Sequence, residues 1–235
     1  MTRRLILPVV GIAVLAGALL IALSQVSAHR QTASAAVPPS TGGLVGVTET
    51  AALLGGIPQR GFSLGSPAAP VRLFEYADPQ CPYCALYARD VLPTLIRDYV
   101  RPGKVQLEFR GLWFLGPDSG TALRTAVAAA DQSRFWSVME LIYRNQGPEN
   151  AWIDDEVLRG IVTGAGADAT KVLAARDGAA VASTIDGWAR QAQADGVRGA
   201  PAFLVARRGA PLRPMAIGAL TVPEFRAALE EALRR

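Results

Sequence analysis

Cysteine and histidine are scarce in this 235-residue chain, with two of the former and one of the latter. A tetrahedral zinc site takes four ligands, and here the one histidine, His29, stands about fifty residues before the first cysteine. Such a site would need carboxylates or a second chain to complete it. The residue after the second cysteine is Ala85 rather than histidine, which excludes covalent haem attachment. A strong excess of one charge is lacking as well. The formal net charge is +4 overall, and only +2 from residue 60 onward, where 21 basic residues face 19 acidic ones. These charges are spread along the sequence and not clustered with aromatics, so no nucleic-acid footprint is present. A dinucleotide fingerprint is lacking too. Gly164 to Ala169 formally fits G-x-G-x-x-A, but Val157, Leu158, Ile161 and Val162 before it follow helical spacing, and no second strand closes a β-α-β unit.

What is present is Cys81-Pro82-Tyr83-Cys84, which uses both cysteines of the chain. A C-x-x-C at a helix start puts the first sulfur on the open N-terminal turn and the second about one turn further in. Unpaired N–H groups and the positive end of the helix dipole then favour a thiolate at Cys81, the attacking species in exchange chemistry. Pro82 fits there, because its missing N–H would have had no intrahelical partner. A purely structural disulfide is a weaker account, since so short a loop restricts an unfolded chain little.

Arg3 and Arg4 precede an uncharged run from Leu5 to Leu23, 19 residues that suffice to cross a bilayer as a helix. The charge bias keeps the N-terminus in the cytoplasm and exports the remainder. Val26-Ser27-Ala28 offers a competing reading, a signal peptide cleaved after Ala28. Either outcome puts the cysteines outside the cytoplasm, where disulfides persist. Residues 1–28 are therefore assigned to the anchor or signal peptide and 29–55 to a flexible linker, with a folded domain over 56–235. The stretch from His29 to Gly43, poor in charge and rich in Ala, Ser, Thr, Pro and Gly, motivates the linker.

Within the domain, Val71–Tyr76 reads as a strand leading through Ala77-Asp78-Pro79-Gln80 into the cysteines. Cys84, Ala88, Val91, Leu92, Leu95 and Tyr99 then mark one helix face, which Pro93 should kink. Val105–Arg110 alternates as a half-buried strand. Ala202–Ala206 and Pro214–Ile217 suit a hairpin. Thr221 and Glu224 have capping-box spacing before a final helix striped by Phe225, Ala228, Leu229, Ala232 and Leu233. Residues 117–196 are helical in pattern, with Leu123, Val127, Phe135, Trp136, Met139, Leu141 and Ile142 as expected core. Phe135, Trp136 and Met139 could alternatively line a peptide groove.

Two further residues invite attention. Glu75 shares strand parity with Val71 and Leu73, so it points either inward below the cysteines, as a proton acceptor or donor for Cys84, or outward from the strand end. Pro201 in Gly199-Ala200-Pro201 either marks the start of the third strand or, as a cis proline beside the cysteines, presents the backbone of Ala200 to an extended substrate.

Taken together, Phe62 to Val71, Leu73 to Cys84 and Gly196 to Val205 resemble the signature regions of the DsbA-like branch of thioredoxin-fold thiol oxidoreductases, from about Gly56 to the C-terminus. The resemblance implies an α/β fold, a thioredoxin-like core with a central mixed sheet flanked by helices and interrupted by a helical insertion. It implies Cys81 as nucleophile, Cys84 as resolving cysteine, Glu75 as the acid near the buried sulfur and Pro201 as a cis-proline, with Pro82, Tyr83, Ala200 and Pro201 at the substrate. Tyr83 stands where the best-known oxidases of the family have histidine, and a phenol supplies no cation to the thiolate; Ala200 stands where Val or Thr is common. The activity implied is disulfide formation or exchange in exported proteins, with a membrane redox partner to reoxidise the pair. A reductase or isomerase, or a peptide-binding chaperone or assembly module, are the alternatives. No metal, nucleotide or haem is implied, because the dithiol is itself the redox group.

Overall fold

The computed structural model describes residues 43–148 and 152–234. The apolar run Leu5–Leu23, the cleavage motif at Ala28 and the tether to residue 42 lie outside them. Among the described residues no helix is long and apolar enough to cross a membrane.

The sheet forms around two parallel strands, β3 (Val71–Ala77) and β4 (Val105–Gly111), which pair from Val71↔Val105 to Ala77↔Gly111. Almost all of β3 is buried, as expected of a central strand covered on both faces. On its other side β5 (Ala202–Arg207) runs antiparallel, with Glu75 opposite Phe203. Three two-residue strands complete the sheet: β1 (Gln59–Arg60) and β2 (Ser63–Leu64) beyond β4, and β6 (Arg213–Pro214) beyond β5. The order is β1-β2-β4-β3-β5-β6, with β3 and β4 the parallel pair, so the expected mixed sheet is present. The hairpin of β5 and β6 is also present, but β6 occupies Arg213–Pro214 instead of Pro214–Ile217. Its ladder closes at Leu204 and Val205, and Met215 adds one further backbone bond to Phe203. β1 and β2 are too short to show any alternation in sequence.

Helix α1 (Val47–Leu54) corrects the linker boundary at 55. This segment is fastened to the domain because Val45 exchanges backbone hydrogen bonds with the Asn145 side chain at 2.8 and 2.9 Å, and Leu54 and Ile57 join the core. Gly46, at φ +85°, permits this seat. A Cβ there would stand 2.4 Å from the Cδ of Arg144.

Helix α2 (Pro82–Asp90) is separated at Val91 from α3 (Leu92–Leu95), which carries Pro93 in its first turn and runs on as a π-helical turn, Ile96–Val100. The expected kink is thus a break, because Pro93 has no N–H to continue the α2 ladder. The insertion comprises α4 (Pro117–Ala129), α5 (Phe135–Arg144), α6 (Asp155–Gly164), α7 (Ala169–Ala175) and α8 (Ala179–Ala194). Leu123, Val127, Phe135, Trp136, Met139, Leu141 and Ile142 are all buried in the main core, so Phe135, Trp136 and Met139 are core packing and not the walls of an exposed peptide groove. Gly164 ends α6 and Gly166, at φ +77°, turns the chain into α7, so the glycine-rich motif is a helix break.

The final helix α9 (Val222–Arg234) buries Phe225, Ala228, Leu229 and Ala232. Its capping box is not closed. The Glu224 carboxylate accepts from the Gly218 N–H at 3.1 Å, while the Thr221 N–H donates to the Ala219 carbonyl at 2.9 Å.

Candidate active site at the start of helix α2

Because β3 and β4 are parallel, the turns that follow them emerge at the same edge of the sheet. The first turn, Asp78 to Gln80, delivers Cys81 to the N-cap of α2. Asp78 organises it. Its Oδ1 accepts from the Gln80 N–H at 2.8 Å and from the Ser119 hydroxyl at 2.5 Å, and its Oδ2 accepts from the N–H groups of Phe114 and Leu115 at 3.0 and 3.2 Å. The Asp78 carbonyl accepts from the Cys81 N–H at 3.0 Å and from the Tyr143 hydroxyl at 3.4 Å. The insertion grips the turn again through Gln146, which donates to the Pro79 carbonyl, and through Trp152, whose indole donates to Gln80. Sequence reasoning passed over Asp78, although aspartate two residues before a bonded N–H is a recognisable turn signal.

The two cysteines are free thiols in contrasting surroundings. The Cys81 sulfur accepts from the Cys84 N–H at 3.4 Å as the cap of α2, with Pro82 in the first turn. Its pKa is pulled down to about 7, first by the hydrogen bond from the Cys84 thiol, with the N–H groups of Cys84 and Tyr83 helping and burial and Asp78 opposing. Cys84 is fully buried, and desolvation pushes its thiol strongly up. One sulfur is thus prepared to be a thiolate and the other to stay protonated.

Glu75 points inward, 3% exposed, in the register that places Phe109 and Phe203 on either side of it. Between such neighbours a carboxylate loses its hydration. Burial raises the Glu75 pKa to about 8, with the charges of Glu140 and Cys81 adding to the effect. Tyr87 and Tyr143 are likewise pushed well up by burial, and both feel the Glu75 charge.

The Ala200–Pro201 peptide is cis, and the Ala200 carbonyl accepts from the Cys81 thiol at 3.4 Å. The backbone expected to await a substrate is therefore engaged by Cys81 while that sulfur keeps its proton; a thiolate has no proton to donate and releases the carbonyl. Cys81, Cys84, Glu75, Ala200 and Pro201 thus come together around one turn. Pro82 and Tyr83 lie on its exposed side, Tyr83 being 65% exposed.

Trp113 and Phe114, in the turn after β4, are also exposed, Phe114 by 53%. The Trp113 indole donates to the Gly116 carbonyl at 3.0 Å, Arg124 lies over its ring, and Gly120 allows the close seat, since a Cβ there would fall 2.4 Å from the indole. Neither aromatic was expected from the sequence, where a Trp-Phe pair in a turn shows no periodicity.

A thiolate-stabilising helix start, a buried second thiol and a buried acid on a mixed sheet are arranged as a dithiol–disulfide couple would need them. A family profile described as Thioredoxin matches residues 59–230, and the chain belongs to that family. It is 41% identical over 103 residues to a probable disulfide bond formation protein D of Bacillus anthracis, covering 43% of this chain and 48% of that protein. The chain thus spans about half the length of the curated relatives it matches. Among solved structures it resembles oxidised BdbD of Bacillus subtilis, with a TM-score of 0.65 at 21% identity, covering 74% of this chain and 93% of the other. It also resembles alpha-DsbA1 of Wolbachia pipientis, with a TM-score of 0.60 at 16% identity, covering 74% and 90% respectively. These likenesses support the thioredoxin-like core with its helical insertion.

Proposed function

We propose that this chain is an extracytoplasmic thiol:disulfide oxidoreductase that oxidises thiols of exported proteins through Cys81 and Cys84. The observation that carries this reading is the asymmetry of the pair, a Cys81 thiol lowered to about 7 beside a buried Cys84 thiol that is strongly raised. In the oxidised protein a substrate thiolate attacks the Cys81 sulfur, the Cys81–Cys84 bond breaks, and Cys84 leaves with the electron pair. Glu75, in its acid form at neutral pH because its pKa is about 8, gives Cys84 the proton it needs. A second substrate thiolate then attacks the substrate sulfur of the mixed disulfide and expels Cys81 as a stabilised thiolate. Two electrons have passed from the substrate dithiol to the pair, and a membrane redox partner removes them.

The names of the Bacillus relatives support the same direction. Tyr83, Leu86, Trp113 and Phe114 offer exposed apolar surface for the residues flanking a substrate cysteine. Leu5–Leu23 anchors the chain with its N-terminus in the cytoplasm, or cleavage after Ala28 releases it. One observation favours a second reading, a reductase or isomerase: the Cys81 thiolate is held by the Cys84 thiol and backbone N–H groups and gains no cation from Tyr83, so its stabilisation is modest.

The test is equilibration of the full-length chain in glutathione buffers of graded ratio, followed by thiol labelling. A pair half-reduced in oxidising buffer supports the oxidase; a pair that remains a disulfide except in strongly reducing buffer sinks it in favour of the reductase. Cys81→Ser should reduce exchange to background, which supports the enzyme; peptide binding that survives the substitution with no exchange activity lost would favour a binding module.

A further inference from the structure

Glu140 is a buried carboxylate that the dithiol mechanism above does not use. It projects from α5 into a cavity of about 10 Å³, room for about one water molecule, lined also by Glu75, Ala88, Leu92, Phe109, Trp136, Met139 and Tyr143. Glu75 and Tyr143 reach this cavity from the cysteine side. From the other side Arg144, about one-fifth exposed, holds Glu140 at 2.7 Å through Nη2 and 3.0 Å through Nε. The Tyr87 hydroxyl is buried with no hydrogen-bond partner among the described residues, and it feels the charges of both Glu75 and Glu140. Two carboxylates and one cavity therefore lead from Cys84 to a cationic edge of the protein.

We propose that Glu140 is the outer station of a proton route that reloads Glu75 from solvent after each turnover. The inference rests on the dithiol reading of the preceding subsection. When Cys84 is expelled from the disulfide it takes its proton from Glu75, leaving a buried carboxylate. Glu140 takes up a proton from solvent beside Arg144 and passes it through the cavity to that carboxylate. Only protons move along the route, and reoxidation runs it backward.

The surroundings suit the two stations differently. Glu75 faces Cys81, Cys84 and Tyr87 on α2, Glu140 and Tyr143 on α5, and the rings of Phe109 and Phe203; of these, Glu140 and Cys81 act on it as negative charges. Glu140 is raised on balance, by burial, with Arg144 and Arg89 of α2 opposing. The Glu140 charge raises the Glu75 pKa further, which favours a protonated Glu75 ready to give its proton to Cys84. Gly46 contributes at a distance, because its missing Cβ lets the Arg144 stem pass toward Glu140.

Glu140→Gln separates this role from a structural one, since the amide retains the shape and an oxygen for Arg144. In the full-length chain, reduction of the Cys81–Cys84 disulfide by a dithiol peptide should slow about three- to tenfold at pH 8 and little at pH 6. The alkaline limb of the pH profile should move to lower pH, and Glu140→Asp should recover part of the loss. An equally folded Glu140→Gln protein with an unchanged profile would overturn the proposal. A second readout needs no folded variant at position 140. The infrared difference between oxidised and reduced wild type should contain two carboxyl signals, of which Glu75→Gln removes one; a single signal overturns the route. A wild-type pair that exchanges with no thiol overturns the preceding reading instead.

Discussion

Strand β3 carries two polar clusters on opposite faces, one half-buried and one buried, at adjacent residues, and they are built on opposite plans. On one face the Tyr76 hydroxyl donates to Asp195 at 2.5 Å, and Arg110 donates to both, at 2.6 and 2.8 Å. The Arg110 guanidinium also lies 4.5 Å over the Phe74 ring, and Gln191 occupies the other Asp195 oxygen. Charge is balanced and donors are matched to acceptors, so this cluster fastens the end of α8 to the sheet. On the other face Glu75 lies between Phe109 and Phe203, and the charges that act on it are negative ones. A matched cluster holds its protons over a wide pH range, whereas a mismatched one can take up and release a proton near neutrality. The difference separates a polar group that stabilises the fold from one available for chemistry.

The sharpest way to break the contrast is Glu75→Gln, which keeps the volume and removes the titration. Exchange should fall on the order of a hundredfold, read as the rate of disulfide reduction at pH 7. The stability profile should change as well. The folded pKa of Glu75, about 8, is raised above the ordinary 4.5, so its stabilising contribution is complete below pH 4.5 and is lost as pH rises through 8. Urea unfolding of the wild type should show that decline, and Glu75→Gln should flatten it. An unaltered slope would mean that Glu75 is hydrated in the folded state.

Asp195→Ala attacks the matched cluster. It leaves Arg110, whose side chain is 18% exposed, without its carboxylate, and should cost about 2 kcal/mol in urea unfolding. The pH at which Cys81 is half-alkylated, near 7, should stay put; a shift would show that the two faces are coupled. The smallest effect belongs to the exposed edge. Phe114→Ala should leave stability nearly unchanged and weaken capture of a cysteine peptide about fivefold, roughly 1 kcal/mol, measured as the Michaelis constant for that peptide.

Glu75 was legible as an inward residue through its period-two relation to Val71 and Leu73, but whether it was dry depended on Phe109 and Phe203, supplied by two other strands. Glu140 illustrates the reverse. A Glu four residues before an Arg reads in sequence as a surface helix pair, and its burial follows from the seating of α5 against α2 and the sheet. Trp113 and Phe114 gave no signal because a turn has no period. The linker boundary failed because the segment is held by residues distant in sequence, the Asn145 side chain on Val45 and Arg101 on the carbonyls of Ala52, Leu53 and Gly55.

What the sequence determined by itself is local: the C-x-x-C spacing, the helix start that stabilises one thiolate, the central strands and the order of strand, turn, cysteine and helix. These depend on groups within a few residues of one another. The tertiary structure decided which carboxylates lose their water, which carbonyl meets Cys81 and which aromatics flank the cysteines. Desolvation is set by everything that surrounds a group, and those neighbours come from distant parts of the chain.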